Sequence, residues 1–425
     1  MATTQHLEYL FGLELHGVKL GIENIRHLLD AAGRPQGRYT TVHVAGTNGK
    51  GSVVALLGTM LRAAGYRVGT FTSPHLIDVT ERFLVDARPI PHEALDQQIA
   101  FFRPLAEKMD SPPTFFEMNT AIALRWFAEC KVDIALIEVG MGGRLDSTNV
   151  IRPCASAITN IALEHTRYLG DTVETIAYEK AGIIKQDIPL VIGETNPRVR
   201  AILLQRAREM HAPAYVLGKD FRFQLTGESF APQFAYQSPA LRLGPAPLAL
   251  AGAYQGPNAA VAVALAERLA ARYPKLTEQA IATGLKTARW PCRLEKVLDQ
   301  PPVIIDVAHN PAGALTLARE LDRVVTVLAV SADKDAKAIV EALAPITHTF
   351  ILSQFQGARA LPVDALCAAA APRPHRRAAH LGEALELGLQ LAGSSLPLLV
   401  TGSIFTAGEA RKILIERHGA SPLAF

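Results

Sequence analysis

The sequence lacks the cysteine spacing that marks a zinc ribbon or a redox dithiol. Its cysteines are far apart and form no C-x-x-C pair: Cys130, Cys154, Cys292 and Cys367. We therefore expect buried, reduced thiols and neither a cysteine metal site nor a set of disulfides.

We also expect neither a membrane segment nor a secretory leader. The chain has no run of about 18 or more apolar residues, and the stretch "MATTQHLEYLFGLELHGVKLG" has no basic start followed by an apolar core. The chain also has no large excess of positive or negative residues: charged residues make up 20% and the formal net charge is +3. We expect a cytoplasmic monomer that binds neither nucleic acid nor a membrane surface, so any anionic ligand must be held locally.

What is present is enough apolar material for two cores. Apolar residues make up 49% of 425, a length at which one core stops growing. From Tyr39 to about Gln300, strand-like and helix-like segments alternate, which predicts an α/β fold with a parallel sheet covered on both faces. Residues 219–248 instead predict a small antiparallel unit. We place a domain boundary between 298 and 299, and three further buried strands predict a smaller α/β domain over 299–425.

The stretch "YTTVHVAGTNGKGSVVALL", Tyr39 to Leu57, has the layout of a phosphate-binding loop between a strand and a helix. Its glycines let the backbone turn tightly and bring N–H groups close to an anion, and the helix that follows presents its positive end. Lys50 supplies a charge for phosphate oxygens, and Ser52 supplies a hydroxyl. That hydroxyl comes one position later than in G-x-x-x-x-G-K-[ST], which disfavours an ordinary GTPase or adenylate-kinase loop. The structural alternative is a glycine turn with a solvated lysine.

This loop, with a glycine between the lysine and the serine, resembles the ATP loop of the Mur-ligase superfamily, in particular of its folylpolyglutamate synthase and dihydrofolate synthase family. The similarity spans nearly the whole chain in family order, through "YLFGLELHGVKLGIENIRHLL", "TSPHLIDVTERF", "TFFEMNTAIAL", "EVGMGGRLDSTNV", "ITNIALEHTRYLGDTVETIAYEKAGIIK" and "DVAHNPAG". It implies an α/β protein with a P-loop-containing Mur-ligase-like central ATPase domain over 1–298, which carries the pterin or folate site, and a Rossmann-like glutamate-ligase domain over 299–425.

The resemblance also implies two cofactors, ATP and Mg²⁺. The residues it assigns to ATP are Asn48, Gly49, Lys50, Gly51, Ser52, Asn258, Arg293 and Asp306. It implies two Mg²⁺ ions with the ligands Ser73, Glu138, His165 and carbamylated Lys180. Carbamylation matters because an ammonium would repel the ion, whereas a carbamate offers an oxygen ligand. Without the resemblance, Lys180 is a solvated helix residue and His165 a packed or surface histidine.

The resemblance implies further residues for the other substrates. A pterin-containing substrate is held by Thr114, Phe115, Phe116, Glu117, Leu145, Asp146 and Ser147. An aromatic wall and a carboxylate suit a flat ligand with polar edges, although core packing remains the alternative for both phenylalanines. His309 helps bind incoming glutamate, with Ser403 assisting. Lys50 and His309 are the catalytic candidates, and a structural histidine is the alternative for the latter. The chain departs from the family pattern in "QGPNAAVAV", where a His-Asn or His-Gln pair is frequent, and at Cys292 and Glu164, which replace a usual glycine and a usual aspartate.

The function implied is ATP-driven amide formation through an acyl phosphate, in which glutamate's amine displaces phosphate. We expect a bifunctional enzyme that adds L-glutamate to dihydropteroate, giving dihydrofolate, and to reduced folates, giving the polyglutamate tail. Tail extension alone is the first alternative. Another Mur-type ligase is a second, although only about 40 residues precede the loop, too few for a UDP-binding domain of usual size. A nucleotide-dependent switch protein without ligase activity is a third.

Overall fold

The structure is a computed structural model that describes residues 5–17 and 19–425. The first four residues of the N-terminal stretch, and Val18, lie outside the described residues.

A large sheet forms the centre of the first domain. Its strands are β1 (Thr40–Ala45), β2 (Val68–Phe71), β3 (Phe83–Val85), β4 (Arg88–Pro89), β5 (Ile134–Glu138), β6 (Ala155–Ile158), β7 (Leu190–Ile192) and β8 (Ala214–Val216). They lie in the order β4-β3-β2-β5-β1-β6-β7-β8. β3 and β4 form an antiparallel edge, and the other strands run parallel to one another. The predicted parallel sheet is confirmed.

Helices cover both faces of this sheet. They are α1 (Gln5–Gly12), α2 (Glu23–Ala31), α3 (Lys50–Ala63), α4 (His92–Ala106), α5 (Phe115–Glu129), α6 (Thr166–Leu169), α7 (Val173–Ala181), α8 (Pro197–Glu209), α9 (Gln255–Leu269) and α10 (Glu278–Thr287). Alternate residues of β5 enter different cores: Ile134 and Leu136 pack with α3 and α9, whereas Ala135 and Ile137 pack with α4 and α5. Because successive side chains of a strand point to opposite faces and both faces are covered, the first four residues of β5 are all apolar.

A small antiparallel sheet interrupts the α/β pattern where the sequence predicts it. Its strands are β9 (Arg222–Thr226), β10 (Gln233–Gln237) and β11 (Arg242–Pro247), with β10 in the middle. Phe234 and Tyr236 of β10 are buried in the same core as α9. This packing fixes the position of α9, whose first turn reaches the glycine loop.

The second domain is a smaller α/β unit, as predicted. Its strands are β12 (Glu295–Asp299), β13 (Pro302–Ile305), β14 (Val324–Leu328), β15 (Thr347–Leu352), β16 (His375–Arg377) and β17 (Leu398–Thr401), in the order β12-β13-β17-β14-β15-β16. Only β12 is antiparallel to its neighbour. The helices are α11 (Pro311–Ala318), α12 (Ala336–Leu343), α13 (Val363–Ala370), α14 (Leu381–Ala392) and α15 (Ile404–His418).

The second sheet begins before the predicted domain boundary. β12 pairs with β13 from Glu295 onward, so the boundary placed between 298 and 299 falls within an edge strand. Pro301 lies in the turn between β12 and β13, and Pro302 begins β13 and pairs with Asp299.

The cysteines are free, as expected, but they are not all buried. Cys292 is buried, whereas Cys130, Cys154 and Cys367 are only partly so, and the expectation of burial is wrong for these. Cys130 caps the end of α5 and Cys154 precedes β6, at the borders of elements where the chain approaches the surface. In the part of the chain that the structure describes, no helix is both long and apolar enough to cross a membrane.

Candidate active site

The glycine loop lies between β1 and α3 and turns in a way that only glycine accommodates. Gly49 has φ 84° and Gly46 has φ 148°. A Cβ at Gly46 would lie 1.8 Å from Thr159 Oγ1, and one at Gly49 would lie 2.2 Å from Asn258 Oδ1. α3 begins at Lys50, so the free N–H groups of its first turn lie directly after the loop. This is the arrangement from which anions are bound at a helix N-terminus.

Residues that follow β6 hold the loop in shape. The backbone N–H of Asn48 donates to Asn160 Oδ1 at 2.9 Å, and its carbonyl accepts from Thr159 Oγ1 at 2.7 Å. The backbone N–H of Thr47 donates to the Asn160 carbonyl at 2.7 Å. Sequence reasoning quoted Thr159 and Asn160 within "ITNI" but assigned them no role. The loop is therefore preformed by contacts more than a hundred residues apart, |i−j| of 111 and 112.

Two lysines meet at one carbonyl of this loop. Lys50 Nζ donates to the carbonyls of Gly46 and Thr47 at 3.1 and 3.0 Å, and Lys180 Nζ donates to the same Gly46 carbonyl at 2.8 Å. Burial, together with the positive charge of Lys50, lowers the pKa of Lys180 to about 7. A lysine with this pKa carries a substantial fraction of neutral amine near neutral pH. The solvated-helix alternative for Lys180 is therefore excluded, because the side chain is buried.

Glu138 and Ser73 lie next to the lysine pair. Glu138 Oε1 is 4.0 Å from Lys50 Nζ, and its carboxylate accepts a hydrogen bond from the backbone N–H of Ser73. Burial raises the pKa of Glu138 to about 7, against the opposing charges of Lys50 and Arg293. Ser73 follows β2 and Glu138 ends β5, so both stand at the carboxyl edge of neighbouring parallel strands, where ligands of α/β proteins bind.

His165 also lies near the two lysines. The four predicted metal ligands include too few oxygen donors for Mg²⁺ unless Lys180 is carbamylated. Burial lowers the pKa of His165, which favours the neutral imidazole that binds metals. Within the described residues, no group of three or more His, Cys, Asp or Glu side chains is arranged to hold a metal ion. Glu138 is the only carboxylate among the four predicted ligands. A carbamate on Lys180 would replace a positive charge with a second anionic oxygen group, so the donor set fits Mg²⁺ in that form.

Glu164 joins the two domains at this point. Its Oε1 accepts a hydrogen bond from His309 Nε2 at 2.9 Å, and His309 Nδ1 lies 2.9 Å from the Val307 carbonyl. Burial favours a neutral Glu164, but the hydrogen bond from His309 and the charge of Lys50 hold its pKa below the ordinary value. Sequence reasoning noted only that glutamate replaces a usual aspartate here. The longer side chain is the one that reaches His309.

The residues predicted to hold the pterin group have structural contacts of their own. Thr114 caps α5, with Glu117 N–H donating to Thr114 Oγ1 at 3.2 Å and Glu117 Oε2 accepting from Thr114 N–H at 2.7 Å. Phe115 stacks on Phe11 at 5.9 Å, and a Cβ at Gly140 would lie 2.4 Å from the Phe116 ring. Thr114 and Glu117 thus form a capping box, and their contact with a ligand stays a prediction.

Asp146, like Thr114, caps the start of a helical segment. It caps the 3-10 segment Ser147–Val150, accepting from the N–H and the hydroxyl of Thr148 on one oxygen and from Met141 N–H at 2.9 Å on the other. Burial raises the pKa of Asp146. Ser147 is buried beside it, and the Leu145 carbonyl accepts from Gly21 N–H at 3.3 Å. These hydrogen bonds hold the "GMGGRLDSTN" segment in a fixed conformation after β5.

The remaining predicted residues line the junction of the two domains. Arg293 borders the same cavity as Gly51, Ser73 and Glu138. Asp306 accepts from the N–H groups of Leu294 and Ala308, each at 2.8 Å, and from Tyr254 Oη at 3.2 Å. Burial raises the pKa of Asp306, although Arg293 opposes this.

Asn258 and Ser403 form hydrogen bonds within the protein, and Trp290, to which the sequence analysis assigned no role, contacts the glycine loop. Asn258 Nδ2 donates to Gln255 Oε1 at 2.9 Å, and Ser403, which caps α15, lies 3.1 Å from Ser331 Oγ. Cys292 has φ 57°, a left-handed conformation that explains why glycine suits this position. Trp290 lies against the loop, so that a Cβ at Gly51 would be 2.7 Å from its ring.

Comparison with known proteins gives the same assignment for both domains. The family model "Mur ligase middle domain" matches residues 44–266, and "Mur ligase, glutamate ligase domain" matches residues 292–404. The dihydrofolate synthase/folylpolyglutamate synthase of Bacillus subtilis is 35% identical over 96% of this chain and 97% of its own length.

Solved structures similar to this chain come from the same family. The Mycobacterium tuberculosis folylpolyglutamate synthase complexed with ADP and AMPPCP has a TM-score of 0.90 at 33% identity, over 99% of this chain and 100% of that one. The E. coli FolC in complex with DHPP and ADP has a TM-score of 0.87 at 30% identity, over 98% of this chain and 99% of that one. With both Mur ligase domains and relatives matched along almost their full length, the chain belongs to the folylpolyglutamate synthase/dihydrofolate synthase family of Mur ligases.

Proposed function

We propose that this protein is an ATP-dependent ligase that adds L-glutamate to dihydropteroate, giving dihydrofolate, and to reduced folates, giving the polyglutamate tail. The observation that carries this is the preformed loop at Gly46–Gly49, with Lys50 fixed at its carbonyls and 4.0 Å from Glu138. Family membership supports it, since the similar E. coli protein was solved with DHPP and ADP together.

The acceptor acid must be activated before an amine can attack it. A carboxylate repels a nucleophile and has no good leaving group, and transfer of the γ-phosphate makes an acyl phosphate that removes both obstacles. Lys50 and Arg293 stabilise the charge on the transferring group, and the loop N–H groups hold the phosphates, so catalysis is by position and electrostatics. The amine of glutamate then attacks the acyl carbon, the tetrahedral intermediate expels phosphate, and the amine loses a proton.

The proposed metal ligands are Ser73, Glu138, His165 and carbamylated Lys180. When bound there, Mg²⁺ supplies positive charge to the phosphate oxygens. The low pKa of Lys180 supports the carbamate, because only the neutral amine adds to carbon dioxide. Glu138 is poised to lose its proton beside a cation, since its pKa of about 7 is set by burial.

His309 and Ser403 in the second domain are proposed to bind glutamate. Both lie at the edge of the second sheet that faces the first domain, where His309 meets Glu164. Substrate-driven closure of the two domains would keep water from the acyl phosphate. We propose a monomer in the cytoplasm.

ADP release by the purified protein tests the function. With ATP and Mg²⁺ present, we expect ADP release only when glutamate is combined with dihydropteroate or with tetrahydrofolate. Turnover with tetrahydrofolate alone as acceptor would leave a tail-extending enzyme. Turnover that needs neither acceptor nor glutamate would instead indicate a nucleotide switch, and turnover restricted to a UDP-linked acceptor would indicate another Mur-type ligase.

A further inference from the structure

Arg82 is a buried cation that has no carboxylate partner in the described part of the chain. It ends the 3-10 segment Val79–Arg82 and is 7% exposed. The ion pairs formed among the described residues do not include it. Burial lowers the pKa of Arg82 to about 10, which still leaves it charged at neutral pH. A buried charge without a partner is costly, so an anionic ligand would stabilise it.

The carboxylates nearest to Arg82 are committed elsewhere. Glu81 accepts from the backbone N–H groups of Leu76, Ile77 and Asp78 at 2.7, 2.9 and 2.7 Å. Glu138 faces Lys50 and the Ser73 N–H. Glu14, which also favours the charge of Arg82, is exposed and is not within ion-pair distance of it. None of them neutralises the guanidinium directly.

The guanidinium lies directly behind His75, which lines the same cavity as Ser73, Glu138 and Arg293. Its Nε donates to His75 Nδ1 at 2.9 Å. Because a guanidinium can only donate, Nδ1 of His75 is the acceptor in this bond. The hydrogen bonds recorded for the described side chains use only this Nε, and the two terminal nitrogens remain for a ligand. The loop that carries Arg82 packs against α15, where a Cβ at Gly408 would lie 2.0 Å from the Leu76 carbonyl.

Arg82 lies beside two parts of the site that the substrate must join. Its guanidinium carbon is 5.1 Å from the centre of the Phe115 ring, one of the residues proposed for the pterin-containing substrate. It also interacts electrostatically with Glu138, at the phosphate end of the site, and with Arg359 of the second domain. Like charges contributed by both domains raise the local positive potential, which favours an anion there.

We propose that Arg82 binds the carboxylate of the acid acceptor through its two terminal nitrogens, with His75 as the residue that orients it. This rests on the proposed function and names the subsite within it. Paired N–H donors of arginine match the two oxygens of a carboxylate. The binding neutralises the acid while the pterin group stays on the Phe115 side, which places the acid near the transferring phosphate.

Calorimetric titration with two compounds tests this subsite. The compounds are dihydropteroate and the same pterin–aniline compound without its carboxyl group. We expect the wild-type protein to bind the acid at least about tenfold more tightly than the compound that lacks it. Arg82→Gln should abolish that preference and leave the affinity for the acid-free compound, and for ATP, unchanged. Arg82→Lys, which keeps the charge but not the paired geometry, should retain only part of the preference.

Arg88→Gln is the matched control, because Arg88 is exposed on the edge strand β4 and the substitution is identical. It should bind both compounds as the wild type does. An Arg82→Gln protein that unfolds is replaced by Arg82→Lys, in which an undiminished preference would overturn the proposal. A preserved preference in a folded Arg82→Gln overturns it as well, while the proposed function stands. If the wild-type protein binds neither compound, the proposed function fails and the subsite with it.

Discussion

At the scale of single residues, the convergence of two lysines on one carbonyl sets the chemistry of the site. Lys50 and Lys180 both donate to the Gly46 carbonyl, and the charge of Lys50 helps to lower the pKa of Lys180. Lys50 is directed into the loop and toward Glu138, as a phosphate-binding residue requires. Lys180 is buried, and burial lowers its pKa to about 7, which suits it to carry a carbamate.

Replacement of Lys180 by alanine should therefore remove an oxygen ligand and not merely a charge. We expect turnover to fall on the order of 100-fold, and short carboxylates added to the assay should restore part of it. Labelled carbon dioxide should give a carbamate signal in the wild type that grows as pH rises through about 7, because protonated Lys180 cannot react. Full activity in Lys180→Ala, or no signal in the wild type, would contradict the carbamate.

Several site residues could be named from sequence, but their contacts could not. The order and types of residues in the loop predicted Lys50 and Ser52 because the chemistry is local. Thr159 and Asn160 escaped notice because they act on the loop through the fold, across more than a hundred residues. Thr114 and Glu117 show the converse, since a capping box uses the same polar atoms that a ligand would need. Their ligand contacts stay predictions.

At the scale of elements, β1, the glycine loop and α3 form the strand–loop–helix unit that the sequence predicts. The long apolar periodic segments gave the helices and central strands correctly, because burial on two faces leaves a strong pattern. Short strands such as β12 carry no such pattern, because Glu295–Asp299 is an edge strand in which no residue is fully buried. This is why the second sheet begins earlier than the predicted boundary.

The backbone path of the loop can be tested at Gly49. Gly49→Ala should lower affinity for a non-hydrolysable ATP analogue at least about tenfold, because its Cβ would press against Asn258 Oδ1. Gly65→Ala is the matched control: Gly65 also has positive φ, 80°, but nothing lies within 4 Å of its Cβ position. Each variant should lose about 1–2 kcal/mol of stability through backbone strain, measured by urea unfolding. Equal nucleotide affinity in the two variants would speak against the loop's role.

At the scale of the whole molecule, the Glu164–His309 contact links the phosphate end of the first domain to the second domain. Glu164→Ala should raise KM for glutamate about tenfold or more, which is what the loss of one hydrogen bond to a charged group costs, while KM for ATP stays constant. Glu174→Ala, an exposed substitution on α7, is the control and should change neither value. An unchanged KM for glutamate in Glu164→Ala would show that this contact does not position His309.

The most direct measurement is a crystal structure of this protein with a non-hydrolysable ATP analogue and Mg²⁺. We expect the β- and γ-phosphates on the N–H groups that begin α3, with Lys50 Nζ within hydrogen-bond distance of them and a metal ion at Ser73 and Glu138. Nucleotide density elsewhere, with the loop empty, would contradict the proposal that the chain activates an acid with ATP at this site.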